Sequence, residues 1–142
     1  HGQLREFVCA LNQLYQQELA LSELDTEQEG FSWIDCHDVE HSVISFIRWG
    51  KEKQDSLIFI CNFTPMPQYG YRLGIPFPGE YYEVLNSDDT RFGGSGLTNT
   101  QSMPSGPVPW HTHAQSILLT LSPLSTIILK WRSPGGNGKD NI

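Results

Sequence analysis

Short runs of alternating or β-branched apolar residues, separated by turn-forming residues, recur along the chain after Gly30. Such runs are typical of strands that bury one face, and the Gly, Pro, Asn and Asp clusters between them mark turns. The runs are FSWID, SVISFIRW, LIFICNF, YGYRLGI, YYEVLN, SILLTL and TIILKW. About seven short strands at this spacing predict a mainly β chain, folded as an antiparallel β-sandwich.

A helical period precedes the strands. In LREFVCALNQLYQQELALSEL, apolar side chains recur every three or four residues, and polar side chains take the other face. The apolar stripe consists of Leu4, Phe7, Val8, Leu11, Leu14 and Tyr15. We therefore predict one amphipathic helix ahead of the sandwich. Because the chain begins within this pattern and without Met, we expect it to be a piece of a longer protein.

Two connections between the predicted strands have unusual sequences. The segment CNFTPMPQYGYRLGIP contains Pro65 and Pro67, which cannot donate to a sheet ladder. We predict that this segment is mainly the turn from one strand into the next. The connection over 87–114 is rich in Gly, Ser, Pro and Thr, and its length predicts either a packed functional loop or a mobile one.

Composition limits the classes of partner. The 142 residues suit one domain, and 16 acidic against 9 basic residues give a net charge of −7. This balance argues against nucleic-acid and anionic-membrane surfaces. No apolar run reaches the roughly 20 residues that cross a bilayer, and no export leader is visible. Cys9, Cys36 and Cys61 form no CxxC motif, which favours a reducing, cytoplasmic location.

Over residues 2 to about 131, the order of these motifs resembles the C-terminal end of bacterial 1,4-α-glucan (glycogen) branching enzymes, members of the α-amylase superfamily. LNQLYQQELALSELD is similar to the last helix of their catalytic barrel, and GFSWIDCHDVEHSVISFIRWG is similar to the opening hairpin of their all-β domain. The later motifs follow in the family's order: CNFTPMPQYGYRLGIPFPGEYYEVLNSD, FGGSG and PVPWHTHAQSILLTLSPLSTIILKW.

The resemblance implies a division of the chain and a partner for it. Residues 1–25 would be the C-terminal helix of a (β/α)8 catalytic barrel, residues 26–132 the C-terminal all-β domain, and residues 133–142 a disordered tail. The family's catalytic Asp and Glu motifs all lie before this helix, so no catalytic residue is assigned here. Branching enzymes cut an α-1,4-glucan and transfer the chain to a 6-hydroxyl. The implied partners are therefore α-1,4-glucan and the barrel.

The carboxylates and histidines of the chain are further candidates for a functional site. Adjacent acids in loops, such as Asp88 and Asp89 or Asp35, Asp38 and Glu40, are usually solvated turn formers. We interpret Asn86, Ser87, Asp88 and Phe92 as structural, with Gly93 and Gly94 supplying positive φ angles and close approach. The histidines are His37, His41, His111 and His113 along with His1, and no spacing among them matches a metal motif. No metal and no cofactor is predicted.

Exposed aromatic rings are the remaining candidates, because a flat ring can stack on the apolar face of a sugar. Trp131 ends an apolar strand and should lie in the core or at the edge of the sheet. Trp110 should hold the long loop in place by packing. Alternation in FSWID places Trp33 and Phe31 on one face of the sheet, with Ser32 and Ile34 on the other. We predict glucan contact at Trp33, with Trp49 as the next candidate. The tyrosines rank below them: Tyr69, Tyr71, Tyr81 and Tyr82.

Three functions from different classes remain. The first is the C-terminal β-domain of a branching enzyme, a structural and glucan-positioning element without catalytic residues. The second is an autonomous carbohydrate-binding module, against which stands a helix whose apolar stripe has no role in a free-standing sandwich. The third is a small metalloenzyme. The first accounts for both the helix and the motif order.

Overall fold

The computed structural model describes residues 9, 10, 13, 14, 17, 18, 30–38, 40–52 and 55–133. Eight strands follow one another within these residues. They are β1 (Phe31–Asp38), β2 (Val43–Arg48), β3 (Leu57–Asn62), β4 (Gln68–Ile75), β5 (Glu80–Asn86), β6 (Met103–Pro104), β7 (Gln115–Leu121) and β8 (Ser125–Arg132). The seven predicted strands are confirmed. The additional strand, β6, is two residues long and lies inside the long connection.

The strands form two antiparallel sheets. One sheet has six strands in the order β1-β2-β3-β8-β5-β6, and the other pairs β4 with β7. A single apolar core lies between them, with members from every strand. Its fully enclosed residues include Ile60, Leu73, Ile75, Leu121 and Leu129, each 0% exposed. The predicted antiparallel sandwich is therefore confirmed, although its two layers differ greatly in width.

Alternation along the strands places one set of side chains in this core. In β2, Val43, Ser45 and Ile47 are buried, while the residues between them are half-buried on the outer face. In β3, Ile58 belongs to this core, whereas its neighbour Leu57 belongs to a second apolar cluster on the outer face of the sheet. The two differ because successive side chains of a strand point to opposite faces. The six-stranded sheet is thus apolar on both faces.

The outer face of the six-stranded sheet is covered in part by the helical residues that precede it. Cys9, Ala10, Gln13, Leu14 and Gln17 are helical. Leu14, 9% exposed, clusters with three buried residues of the sheet. These are Leu57, Leu85 and Ile128. The helical segment therefore packs on the sandwich within this chain.

An ion pair fixes the same segment to the sheet. The ammonium group of Lys130 in β8 donates to both carboxylate oxygens of Glu18, at 2.8 and 3.0 Å. The rest of the predicted helix, and the predicted disordered tail beyond Ser133, lie outside the described residues. The proposed division at residues 25 and 132 stays a prediction.

The proline-containing segment carries the chain from one sheet to the other. β3 belongs to the six-stranded sheet and β4 to the two-stranded sheet, with Pro65 and Pro67 between them. The buried amide of Asn62 orders this crossing, because its nitrogen donates to the carbonyls of Met66 and Ser122, at 3.1 and 2.9 Å. This location agrees with the prediction that the segment is a turn between strands.

The long connection is packed against the sandwich. The carboxylate of Asp88 accepts hydrogen bonds from Ser95 and from the backbone N–H of Leu97. Gly93 has a φ of 87°, and a Cβ at Gly94 would overlap the backbone of Asp88. The structural interpretation of this loop is therefore supported: Gly93 supplies the positive φ angle, and Gly94 allows the close approach to Asp88.

A half-buried carboxylate holds the middle of the same connection. One oxygen of Glu83 accepts from the Asn99 side chain at 2.9 Å and from its backbone N–H at 3.2 Å. Burial raises the pKa of Glu83 above its usual value despite these bonds. Of the two predicted alternatives for this connection, a packed loop and a mobile loop, the structure therefore shows the packed loop.

Candidate functional site

Trp33 belongs to a row of aromatic rings on the outer face of the six-stranded sheet. Its ring centroid lies 5.0 Å from that of Phe31 and 6.0 Å from that of Phe46, both in edge-to-face contact. Phe46 in turn stacks on Phe59, with centroids 5.0 Å apart and an interplanar angle of 6°. The row therefore crosses β1, β2 and β3. As the alternation predicted, Ile34 turns the other way, into the core.

The row becomes more exposed toward the edge of the sheet. Phe46 and Phe59 are half-buried, whereas Phe31 is 39% and Trp33 is 51% exposed. β1 is an edge strand, so solvent reaches Trp33 from the side. A half-exposed indole held by two neighbouring rings is a preformed stacking surface that needs little ordering when a sugar binds.

The other three tryptophans have different environments. Trp131 and Trp49 are partly buried against the core, as predicted for Trp131. The indole N–H of Trp49 donates to Ser32 Oγ at 2.9 Å. Trp110 closes a tight turn through backbone hydrogen bonds with His113, while its ring is 47% exposed. Trp33 and Trp110 are thus the two tryptophans with half-exposed rings.

Two of the acidic residues interpreted as solvated turn formers are not solvated, and that interpretation is corrected here. The side chains of Asp35 and Asp38 are only 18% and 15% exposed. Asp38 accepts from the Tyr71 hydroxyl at 3.0 Å and from His41 Nδ1 at 2.9 Å. Asp35 lies 3.3 Å from Nε2 of His111. Tyr71 and His111 come from other segments of the chain, so tertiary packing encloses these carboxylates.

The irregular pairing of β1 explains how Asp35 reaches this network. Trp33 pairs with Phe46, but Asp35 pairs with the next residue, Ser45, so Ile34 is an extra residue in the ladder. Such a bulge re-aims the side chains that follow it. Asp35 consequently points to the inner side of the sheet, opposite to Trp33, and sequence alternation carried no signal of this change.

The electrostatics of the network favour structure over acid–base chemistry. Burial would raise the pKa of Asp38, but hydrogen bonds from His41 and Tyr71 outweigh burial and lower it. Burial together with the Asp38 charge raises the pKa of the Tyr71 hydroxyl. Burial also lowers the pKa of His111, so its imidazole is neutral near pH 7. A glycoside-cleaving pair needs a carboxyl group with a raised pKa beside an ionised one, and Asp38 is not such an acid.

In the part of the chain that the structure describes, no three His, Cys, Asp or Glu side chains converge in a way that could hold a metal ion. Among the same residues, no helix has both the length and the apolar character of a membrane span.

Comparison with known proteins identifies the domain. Residues 33–132 match the model of the family described as alpha amylase, C-terminal all-beta domain. The chain is 46% identical over 130 residues to the 1,4-alpha-glucan branching enzyme GlgB of Thermosynechococcus vestitus, covering 92% of this chain and 17% of that protein. It is 44% identical to the enzyme of the same name from Aquifex aeolicus, covering 92% of this chain and 21% of that protein.

A third relative, the 1,4-alpha-glucan branching enzyme GlgB of Halothermothrix orenii, is 46% identical over 130 residues, which are 92% of this chain and 21% of that protein. The chain thus spans about a fifth of the length of these curated relatives. The family model covers most of the sandwich, including both sheets and the aromatic row from Trp33 onward. The chain therefore belongs to the alpha amylase C-terminal all-beta domain family.

Proposed function

We propose that this chain is the C-terminal β-domain of a cytoplasmic 1,4-α-glucan branching enzyme, in which it supports a (β/α)8 catalytic barrel and positions glucan. The observation that carries the proposal is the identity of 44 to 46% to branching enzymes over more than nine-tenths of the chain. The whole enzyme would cleave an α-1,4 linkage and transfer the released chain to a 6-hydroxyl. This domain would contribute no reacting group.

The outer face of the six-stranded sheet is the surface proposed to meet the barrel. It carries the helical segment at Leu14 and the half-buried rings of Phe46 and Phe59. An apolar face that extends beyond the docked helical segment is suited to pack against a neighbouring domain. Trp33 then lies at the rim of that contact, where solvent and a bound glucan chain have access.

The first prediction concerns activity. The 142-residue chain alone should form no α-1,6 branches, because its enclosed carboxylates Asp35 and Asp38 serve structural hydrogen bonds. After incubation with amylose, the iodine-complex spectrum and the number of α-1,6 linkages should be unchanged. A complete branching enzyme under the same conditions serves as the positive control. New branches formed by the purified chain would contradict the proposal.

The second prediction concerns glucan contact at Trp33. Covering one face of the indole with a glucose ring removes about 100 Å² from water, worth roughly 2.5 kcal/mol at about 25 cal/mol per Å². Lost translational freedom and desolvated hydroxyls offset much of this gain, so one ring cannot supply binding tighter than about 1 mM, which corresponds to roughly −4 kcal/mol. Maltoheptaose should therefore shift the Trp33 indole N–H resonance in the millimolar range, and Trp33→Ala should abolish that binding.

The stability of Trp33→Ala distinguishes glucan contact at Trp33 from a role of Trp33 in packing alone. Since Trp33 is 51% exposed, Trp33→Ala should lower the melting temperature by only a few degrees. Phe63→Ala is a matched control, because Phe63 is 59% exposed and follows the end of β3. A large loss of stability in Trp33→Ala with glucan binding unchanged would identify Trp33 as a packing residue, and Trp49 would be tested next.

An autonomous carbohydrate-binding module is the second candidate, and one observation favours it. The helical residues pack against β3, β5 and β8 within the chain, through Leu14 and the Glu18–Lys130 pair. The helix is thus compatible with a free-standing domain. Affinity distinguishes the two functions: a module that works alone should bind maltoheptaose in the micromolar range, whereas a positioning surface needs only millimolar affinity at each of several sites.

A further inference from the structure

A second concave surface lies on the side of the sandwich opposite the aromatic row. It is an open cleft of about 780 Å³ between the bulged end of β1, strand β4 and the turn after Pro109. Its volume falls within the range of small-molecule sites, roughly 300 to 1,000 Å³. The cleft exists because the two-stranded sheet is too narrow to cover the inner face of the six-stranded sheet near its β1 edge.

The turn that forms one wall is held in an unfavourable backbone conformation. His111 and Thr112 have φ angles of 50° and 63°, in the left-handed region that β-branched residues such as Thr rarely adopt. Such strain persists only where surrounding contacts fix it, and it occurs often at binding sites. Here the conformation places the His111 imidazole against both β4 and β1.

The imidazole of His111 connects the wall to the floor of the cleft. The backbone N–H of Gly74 donates to Nδ1 at 3.1 Å, so the ring proton lies on Nε2 and points to Asp35 at 3.3 Å. Asp38, Tyr71 and His41 continue this hydrogen-bonded floor. The floor is therefore preorganised before any ligand arrives.

Exposed apolar groups form the rims. Tyr69 is 71% exposed, and it precedes Gly70, whose φ of 65° lies at an irregularity in the pairing of β4 with β7. Trp110, 47% exposed, and Leu118, 50% exposed, line the same cleft. Flat rings beside polar groups are suited to a ligand with one apolar and one hydroxylated surface, such as a hexose.

Hydrogen-bonding groups lie beside these rings. The Arg72 guanidinium lies over the Trp110 ring at 5.9 Å and donates through one nitrogen to Ser116 Oγ at 2.8 Å. A guanidinium has five N–H donors, so others can serve a ligand. Gln68 and Glu40 also line the cleft.

The charge of the cleft selects the class of ligand. Three carboxylates, those of Asp35, Asp38 and Glu40, line it with one guanidinium, so an anionic ligand would meet net repulsion. Asp35 and Asp38 already accept hydrogen bonds from protein donors, which leaves them poorly placed to bind a cation. A neutral polyhydroxylated molecule fits both conditions.

We propose that this cleft is a second glucan-contact site, which holds an α-1,4-linked segment between Tyr69 and Trp110 and hydrogen-bonds it through Arg72. The choice of glucan rests on the proposed function. Because the cleft and Trp33 lie on opposite sides of the six-stranded sheet, the two sites can engage separate segments of one long chain or two chains at once. Each site is weak alone, and their combination increases retention of long glucans.

Nuclear magnetic resonance of the 142-residue chain tests the cleft directly. Maltoheptaose is titrated while the indole N–H resonances of Trp110 and Trp33 are followed separately, with cellohexaose as the β-linked comparison. We expect both resonances to move with maltoheptaose, with different dissociation constants in the millimolar range. Tyr69→Ala should weaken the Trp110 response about five- to tenfold and leave the Trp33 response unchanged.

Control variants make the outcomes distinct. Phe63→Ala removes another exposed ring outside the cleft and should change neither response, and Trp33→Ala should remove its own response alone. Movement of Trp33 without Trp110 would overturn the second site and leave the proposed function intact. Absence of both responses would overturn the glucan-positioning role as well. Loss of the Trp110 response in Trp33→Ala would also refute a separate site.

Discussion

Gly74→Ala is expected to lower the stability of the domain by about 3 kcal/mol, corresponding to a melting temperature reduced by roughly 10 °C. Gly74 lies in β4, directly beneath the turn that carries Trp110 and His111. A Cβ at this position would overlap the carbonyl oxygen of Trp110 and come within 2.8 Å of its carbonyl carbon and of His111 Cβ. The obstruction is mainly backbone, so no side-chain rotation relieves it.

The substitution should also break the contact that preorganises the cleft. If the turn moves away, the Gly74 N–H loses its hydrogen bond to His111 Nδ1, and His111 loses its position beside Asp35. A buried donor without a partner costs about 1 to 3 kcal/mol, which adds to the steric cost. Thermal unfolding measures the combined loss, and the chemical shift of the Trp110 indole N–H reports displacement of the turn.

Gly106→Ala is the matched control. Gly106 bridges to Ser116 in β7, yet a Cβ there would meet no atom within 4 Å. Replacing a glycine with alanine at an unobstructed position is neutral or stabilising by a few tenths of a kcal/mol. Equal melting temperatures for the two variants would show that the turn is not fixed to β4 as the structure places it.

The strands could be predicted from the sequence because burial in this fold follows the pleat. In β2 and β3, residues alternate between the inner core and the outer face, so local pattern and tertiary position agree. The short strand β6 was missed because its two residues, Met103 and Pro104, carry no period. Its existence depends on pairing with Glu80 and Tyr81 of β5, a long-range contact.

The cleft could not be predicted either, because it too depends on features that have no local sequence pattern. Its floor depends on the extra residue Ile34 in β1, which moves Asp35 to the opposite face from Trp33. Its wall depends on positive φ angles at His111 and Thr112, where the sequence has no glycine to indicate them. By contrast, Trp33 was predictable, because it lies before the bulge, where alternation still holds.

Leu14→Glu is expected to produce the second large effect, a loss of about 3 kcal/mol together with a tendency to self-associate. Leu14 is 9% exposed and packs against Leu57 and Ile128, which are 0% and 1% exposed. A carboxylate at this site would lose its hydration in the apolar cluster, and the nearby ammonium group of Lys130 already pairs with Glu18. The helical segment should therefore separate from the sheet.

Separation would uncover an apolar area on the outer face of the six-stranded sheet. Leu57, Leu85 and Ile128 would become accessible next to the rings of Phe59 and Phe46. A patch of several hundred Å² of this kind promotes association between copies of a protein. Sedimentation velocity should then show dimers or larger species, and thermal unfolding should show the reduced stability.

Gln17→Glu provides the matched control, since Gln17 is helical but exposed and the substitution adds the same charge. It should leave both the melting temperature and the sedimentation coefficient nearly unchanged, within about 0.5 kcal/mol of stability. If Leu14→Glu behaves like Gln17→Glu, the helical segment does not dock on the sheet in solution. The outer face would then be open along its whole length, and the barrel-facing surface would have to be assigned without the helix.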